Sequence, residues 1–129
     1  GVRVSATDWV EGGWNLEETI RYVNVLKSLG CDFVDVSTGG LSEEQAIALT
    51  YGYQLPFARA VREQTGLPTF AVGLIKNAYQ AETCLADGTA DMVDVGREML
   101  KNPHWGWQAA LDLKADVEIP LSYRRGIRQ

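Results

Sequence analysis

The feature that most constrains the fold of this chain is a regular alternation of two kinds of segment. Short β-branched runs occur at residues 2–5, 33–36, 69–72 and 92–95. Each run is nearly continuous in apolarity, which is typical of parallel strands covered on both faces. A stretch with helical spacing follows each run. The order βαβαβαβα predicts an α/β fold of right-handed, parallel βα repeats.

The predicted helices begin and end at recognisable signals. The helix at residues 16–29 has Asn15 as its N-cap and Gly30 as its C-terminal stop. Further helices are predicted at residues 57–64, 78–86, from 98 onwards, and 105–113. Links from helix to strand are short, whereas links from strand to helix are longer and rich in Gly, Ser and Thr. Ligands of parallel α/β folds meet the loops after the strands, so this asymmetry indicates where a binding site lies.

The repeats leave two architectures open, a small open sheet or half of a (β/α)₈ barrel. The 129 residues are enough for one compact domain, residues 1–129, and 46% apolar residues favour a packed core over disorder. The chain starts inside the first strand without an initiator Met, which favours a piece of a longer protein. A half-barrel has two open sheet edges and an uncovered inner face, expected to be apolar, so we predict a homo-oligomer.

Composition argues against several functional classes. The net charge is −5, and the basic residues cluster only at Arg124, Arg125 and Arg128, so a nucleic-acid partner is not expected. No apolar run approaches membrane-spanning length and no signal peptide is visible. Cys31 and Cys84 lack metal-ligand or redox spacing and are interpreted as small core or near-core residues. These patterns predict a cytoplasmic protein without a metal site.

Two glycines follow predicted strands in the same way. Gly73 and Gly96 each end a β-branched run shortly before a helix, and Arg97 adds a cation to the second turn. Consecutive strand ends of this kind can direct backbone N–H groups and a helix N-terminus at one phosphate. In (β/α)₈ barrels a shared phosphate site commonly lies after the last two strands. Plain strand-to-helix turns that bind no ligand would contain the same residues. The two glycines that follow the second run, within residues 37–40, can likewise be explained by a tight turn alone.

Arg3 is a charged residue within a predicted buried strand, which is unfavourable unless something pairs with it. Its guanidinium either reaches the surface or a carboxylate, or it faces the electron-rich edge of a ligand such as a carbonyl or ring nitrogen. His104 is the one histidine, and no motif accompanies it, so it is interpreted as structural.

Six segments, in unbroken order over essentially the whole chain, resemble the Old Yellow Enzyme family. They are "VRVSATDW", "DFVDVSTGG", "GYQLPFARAVREQTGLP", "TFAVGLI", "ADMVDVGREMLKNPHW" and "IPLSYRRG". The likeness is closest to the bacterial thermophilic-like ene-reductases. The resemblance implies an FMN-dependent reductase that uses NAD(P)H to reduce an activated alkene. It also implies a (β/α)₈ barrel, of which this chain matches the C-terminal half, strands five to eight.

The resemblance also implies roles for individual residues. Arg3 matches an arginine that contacts the flavin ring near N1 and the C2 carbonyl, and Gly73, Gly96 and Arg97 match phosphate-binding positions. Arg125, in "YRRG", matches a tail arginine that reaches a neighbouring subunit's active site.

The family's proton-donating tyrosine and substrate-anchoring pair belong to the N-terminal half. The resemblance therefore implies no catalytic residue here and an isolated chain that is inactive. Two non-enzymatic alternatives are a self-associating half-barrel scaffold and a phosphate-binding module. A flavodoxin-like domain is disfavoured because "ATDWVEGGW" is a poor phosphate loop.

Overall fold

The computed structural model describes residues 1–126 and contains a four-stranded parallel sheet in the order β1-β2-β3-β4. The strands are β1 Val2–Ser5, β2 Val34–Ser37, β3 Thr69–Ala71 and β4 Met92–Val93. The helices are α1 Leu16–Ser28, α2 Leu55–Thr65, α3 Ala78–Ala86, α4 Arg97–Lys101 and α5 Trp105–Asp112. The predicted parallel βα repeats, the arrangement of half a (β/α)₈ barrel, are confirmed.

Several element boundaries differ from the predicted ones. The second strand is shifted by one residue, so that Phe33 precedes it, and the fourth run pairs only at Met92–Val93. Helix α2 begins two residues earlier than predicted because Pro56 fits its first turn, where a backbone N–H has no intrahelical acceptor. It ends at Gly66, whose φ of +66° suits a left-handed cap.

Helix α1 begins at a capping box, as Asn15 led us to expect. The Asn15 side chain accepts from the Glu18 N–H at 3.1 Å, and the Glu18 carboxylate accepts from the Asn15 N–H at 3.1 Å. One turn further, the buried Thr19 hydroxyl donates to the Ala6 carbonyl at 3.0 Å. This bond fixes the start of α1 against the end of β1.

The hydrophobic core lies between the sheet and the helices that cover one of its faces. Every second strand residue faces it, because side chains alternate between the two faces of a strand. The most deeply buried members are Val23 of α1, Val34 and Val36 of β2, and Val61 of α2. Burying each valine stabilises the fold by roughly 1.5–3 kcal/mol.

The inner face of the sheet confirms one expectation and corrects another. Among residues 1–126 no element covers this face, as expected of a half-barrel, although the apolarity of the strands by itself suggested cover on both sides. The face is also mixed and not simply apolar, because Arg3 and Asp35 are paired across β1 and β2. Phe33 and Phe70 form its apolar part, with ring centroids 5.3 Å apart. Charge and aromatic area therefore share one exposed surface.

The described helices and cysteines bear on two further expectations. No helix within residues 1–126 combines the length and apolarity needed to cross a membrane. Cys84 is buried and Cys31 partly buried, and both are free thiols. These positions agree with the prediction of core or near-core residues, with Cys84 in the core and Cys31 at its edge.

A bidentate ion pair ties helix α2 to the start of β4. Arg62 donates through Nε and Nη2 to the two carboxylate oxygens of Asp91, both at 3.0 Å. Asp91 also accepts from the Thr69 N–H at 2.9 Å, and its own N–H donates to the Thr69 carbonyl. The Arg62 guanidinium, followed by the Thr69 N–H, holds the pKa of Asp91 below its ordinary value.

We predict that Asp91→Asn lowers the melting temperature at pH 7. Because the folded-state pKa is depressed, the stabilisation is present above the ordinary value of 3.8 and is lost as the pH falls through the lower folded-state value. Thermal unfolding between pH 7 and pH 2 should show the gap between wild type and variant closing at the acid end. Glu82→Gln, an exposed change on α3, is the control, and a gap that stays constant would contradict the prediction.

Candidate functional site

A cleft of about 670 Å³ lies at the carboxyl ends of the four strands, where the loop asymmetry predicted a site. This volume is within the range typical of small-molecule sites. The lining residues come from the turns after β2, β3 and β4 and from β1: Arg3, Ser37, Thr38, Gly39, Leu49, Tyr53, Gln54, Val72, Gly73, Leu74, Ile75, Lys76, Asp94, Gly96, Arg97, Glu98 and Lys101. We refer to this region as the strand-end cleft.

All four candidate cofactor residues line the strand-end cleft. Arg3 contributes from β1, Gly73 from the turn after β3, and Gly96 and Arg97 from the start of α4. Residues that are far apart in the sequence therefore meet in one place. Arg125 lies elsewhere, on the exposed turn formed by residues 121–126.

Gly73 is required by the backbone of its turn. Its φ is +145°, a region that side-chain-bearing residues rarely adopt. A Cβ at this position would lie 3.3 Å from the Gln54 nitrogen and 3.4 Å from the Gln54 Cβ. The Gly73 carbonyl also accepts from the Gly52 N–H at 2.8 Å. The glycine lets the turn after β3 pack closely against the start of α2.

Gly96 has a different role in the structure. It is the N-cap of α4, its φ of −89° is ordinary, and a Cβ built there would meet nothing within 4 Å. Neither conformation nor packing within the described chain requires glycine at this position. Its missing side chain keeps space open in the cleft where the first backbone N–H groups of α4 lack intrahelical acceptors.

Three cations line the part of the cleft near β3 and β4. Lys101 is paired with Glu98 at 2.7 Å. Within residues 1–126, Arg97 and Lys76 have no carboxylate within ion-pairing distance. Lys76 is placed by its backbone N–H, which donates to the Gln80 side chain at 2.8 Å. Two positive charges thus remain available to a bound anion.

Gln54 fixes the opposite wall of the cleft. Its side chain is buried, and its Oε1 accepts from the Thr38 N–H at 2.5 Å and the Thr38 hydroxyl at 2.9 Å. Its Nε2 donates to the Val72 carbonyl at 3.3 Å. One side chain therefore holds together the ends of β2 and β3 and the first turn of α2.

Arg3 pairs with carboxylates, which was one of the two interpretations of its sequence position. Its Nη1 donates to Asp35 Oδ2 at 2.7 Å and lies 3.5 Å from Asp94 Oδ2. The Arg3 side chain is 57% exposed, so it is not buried, although it lies in a strand that was predicted to be buried. The Nε and Nη2 groups of Arg3 donate to no described residue. They could therefore also donate to the electron-rich edge of a ligand, which was the second interpretation.

Asp35, which pairs with Arg3 beside the cleft, has a pKa above its ordinary value. Burial raises its pKa most, the nearby Asp94 carboxylate raises it further, and Arg3 opposes both effects. Its Oδ1 is buried and has no hydrogen-bond partner in the described chain. Asp35 and Asp94 were not predicted from the sequence, although each is a charged residue inside a short apolar run, the same signal that singled out Arg3.

An aromatic cluster holds the C-terminal turn. His104 stacks on Trp107 with ring centroids 4.3 Å apart, and Tyr123 packs edge-on against both at 5.1 Å. This geometry agrees with the structural interpretation of His104. It places the turn that carries Arg125 against α5.

Comparison with known proteins identifies the family of the chain. A sequence profile of the NADH:flavin oxidoreductase / NADH oxidase family matches residues 1–116. The chain belongs to this family. The resemblance to the Old Yellow Enzymes, which form this family, is therefore confirmed.

Curated relatives from two bacterial genera are named NADPH dehydrogenase. The protein from Geobacillus thermodenitrificans is 44% identical over 127 residues, which are 98% of this chain and 37% of the relative. The protein from Listeria monocytogenes serovar 1/2a is 44% identical over 124 residues, 96% of this chain and 36% of the relative. The chain therefore spans just over a third of the length of these NADH:flavin oxidoreductase relatives.

We predict that the two cleft glycines respond differently to alanine. Gly73→Ala should destabilise the fold by about 1–3 kcal/mol, because it places a side chain in a rarely populated φ region against Gln54. Gly96→Ala should change stability by no more than about 0.5 kcal/mol, because its φ is ordinary and no atom is near. Urea unfolding of both variants measures the difference, and equal destabilisation would show that the turns are equivalent.

Proposed function

We propose that this chain forms the phosphate end and one ring edge of the flavin site in an FMN-dependent oxidoreductase. The reductant is NADH or NADPH, and the substrate is a small activated alkene. The observation that carries the proposal is the convergence of Arg3, Gly73, Gly96 and Arg97 on one strand-end cleft. Membership of the NADH:flavin oxidoreductase family supports the flavin and the nicotinamide reductant.

The residues of the cleft fit a phosphorylated, planar cofactor. Arg97 and Lys76 supply positive charge for a phosphate dianion, and charged donors form stronger hydrogen bonds to phosphate than neutral ones do. Gly96 leaves space beside them, so a phosphate can approach the backbone at the start of α4. At the other side, the free Nε and Nη2 donors of Arg3 suit the planar acceptors of a ring edge.

The chemistry divides between the cofactor and the chain. Bound FMN supplies the hydride transfer. Within this chain, Arg97 binds and orients the phosphate, and Gln54 keeps the cleft walls in place through Thr38 and Val72. Arg3 orients the ring edge and favours added negative charge there. We assign no residue of the cleft as a proton donor. We propose that Arg125 reaches the active site of a neighbouring subunit.

Arg97→Ala should weaken FMN binding by about ten- to a hundredfold, because a hydrogen bond to a charged group contributes roughly 1.5–3 kcal/mol. Riboflavin has the same ring without the phosphate, and its affinity should be unchanged. Quenching of flavin fluorescence on titration with the chain measures both affinities.

Arg21→Ala is the matched control, since it removes the same charge from the exposed surface of α1. It should leave both affinities as in wild type. Equal FMN affinity for wild type and Arg97→Ala would show that Arg97 does not bind phosphate. A wild-type chain that does not prefer FMN to riboflavin would refute the phosphate site as a whole.

A second candidate function is a self-associating scaffold without catalytic activity. The observation that favours it is the exposed inner face, where Phe33 is 37% exposed beside Phe70. The edges β1 and β4 also have no strand beside them on one side among the described residues. Unpaired strand edges and exposed aromatic area both favour association with another copy.

We predict a dimer or larger oligomer at micromolar concentration, with the inner face buried in it. Phe33→Asp should shift the distribution towards monomer, because it places an unpaired charge in the interface. Static light scattering gives the mass of each species, and Leu29→Asp, an exposed site at the end of α1, is the control. A wild-type chain that is monomeric throughout this range would contradict self-association.

A further inference from the structure

The inner face of the sheet has an ionisable cluster that phosphate binding does not use. Asp35 of β2 and Asp94, which follows β4, both contact Arg3 of β1. We propose that Asp35 and Asp94 share one proton, so that the cluster of Arg3, Asp35 and Asp94 is neutral where it faces the cleft. Asp94 is then a positioning residue, which acts on the ligand through Asp35 and Arg3.

The geometry brings the two carboxyl groups together at one nitrogen. Arg3 Nη1 lies 2.7 Å from Asp35 Oδ2 and 3.5 Å from Asp94 Oδ2. One guanidinium can balance one carboxylate, so two ionised carboxylates would leave the cluster with a net negative charge. Two carboxylates that share a site disfavour each other's ionised form, and a proton relieves the repulsion.

The burial of Asp35 indicates where the proton is needed. The Asp35 side chain is 15% exposed, and its Oδ1 is buried without a hydrogen-bond partner in the described chain. An ionised carboxylate only accepts hydrogen bonds, whereas a protonated one can also donate. If one of the two carboxyl groups holds the proton, it can donate a hydrogen bond and the ionised carboxyl group can accept one. The raised pKa of Asp35, caused first by burial and then by Asp94, agrees with this arrangement.

The surrounding elements leave the pair with few competing charges. Asp35 is in register with Phe70 of β3, which has no charge, and Ser5 and Ser37 are its polar neighbours along the strands. The remaining charged groups of the cleft are Lys76, Arg97, Glu98 and Lys101. The cations among them favour ionised carboxylates, but within residues 1–126 only Arg3 is within ion-pairing distance of Asp35 or Asp94.

The shared proton has a consequence for ligand binding that rests on the proposed function. A ring edge held by the free donors of Arg3 then meets a cluster that is neutral overall, with one negative carboxylate beside Arg3 and not two. The carboxyl groups then repel negative charge that develops on the ring edge less strongly. With both carboxylates ionised, the cluster would repel it.

The test is a pH titration of the side-chain carboxyl carbons by ¹³C NMR, on the whole chain without flavin. Asp35→Asn identifies the Asp35 signal. We expect Asp35 in the wild type to titrate above its ordinary value of 3.8. In Asp94→Asn its midpoint should fall by about one pH unit or more, since the like charge of the second carboxyl group beside Arg3 Nη1 has been removed.

Two further variants make the result specific. Glu98→Gln removes a cleft carboxylate that pairs with Lys101 and not with Arg3, so it should leave the Asp35 midpoint unchanged. Asp94→Ser removes the charge without adding an amide and should lower the midpoint as Asp94→Asn does.

The proposal is overturned if wild-type Asp35 titrates at or below 3.8, or if either Asp94 variant leaves its midpoint unchanged. It is also overturned if Glu98→Gln shifts the midpoint as far as Asp94→Asn does. Because no flavin is present, this result is separate from the comparison of FMN with riboflavin. If the titration fails, the proposed phosphate site is unaffected, and if the FMN comparison fails, the shared proton is unaffected.

Discussion

The candidate site depends on one constraint: all strands of a parallel sheet end at the same edge. The register of the sheet pairs Ser5 with Ser37 and Ala71 with Val93, so the turns after the four strands lie side by side. Arg3 and Asp94 are 91 positions apart in the sequence and yet contact each other. The helices make this possible because they cover only the opposite face, where the apolar members of the same strands are buried.

Gly73 and Gly96 show how similar sequence patterns can have different physical causes. Both follow a β-branched run and precede a helix. The backbone at Gly73 adopts a φ of +145° and packs against Gln54, so the fold itself requires glycine there. Nothing in the described chain requires glycine at Gly96, which has an ordinary φ and open space beside it. The shared pattern therefore has a conformational cause at the first glycine and none within the described chain at the second.

The sequence predicted the parallel repeats and the position of the cleft because short, nearly continuous apolar runs and loop asymmetry are local patterns. It predicted that a half-barrel leaves the inner face uncovered, but not the composition of that face. The face was expected to be apolar, whereas the charged residues within the apolar runs, Arg3 and Asp35, face each other on it. Their pairing depends on register, which no local pattern specifies. Lys76 and Gln54 were missed for a similar reason, since a single loop residue gains its role only from its neighbours in the fold.

The two ends of the cleft differ in charge, which the net charge of −5 for the whole chain does not show. Near β3 and β4, Arg97 and Lys76 leave positive charge unbalanced, because Glu98 is engaged by Lys101 and Asp94 lies against Arg3. Near β1 and β2, Arg3 is already matched by carboxyl groups. Charges in such a concave region act on a ligand more strongly than the same charges on an open surface. A ligand with an anionic group at one end and neutral acceptors at the other is therefore favoured in a single orientation, set before any contact with its ring is made.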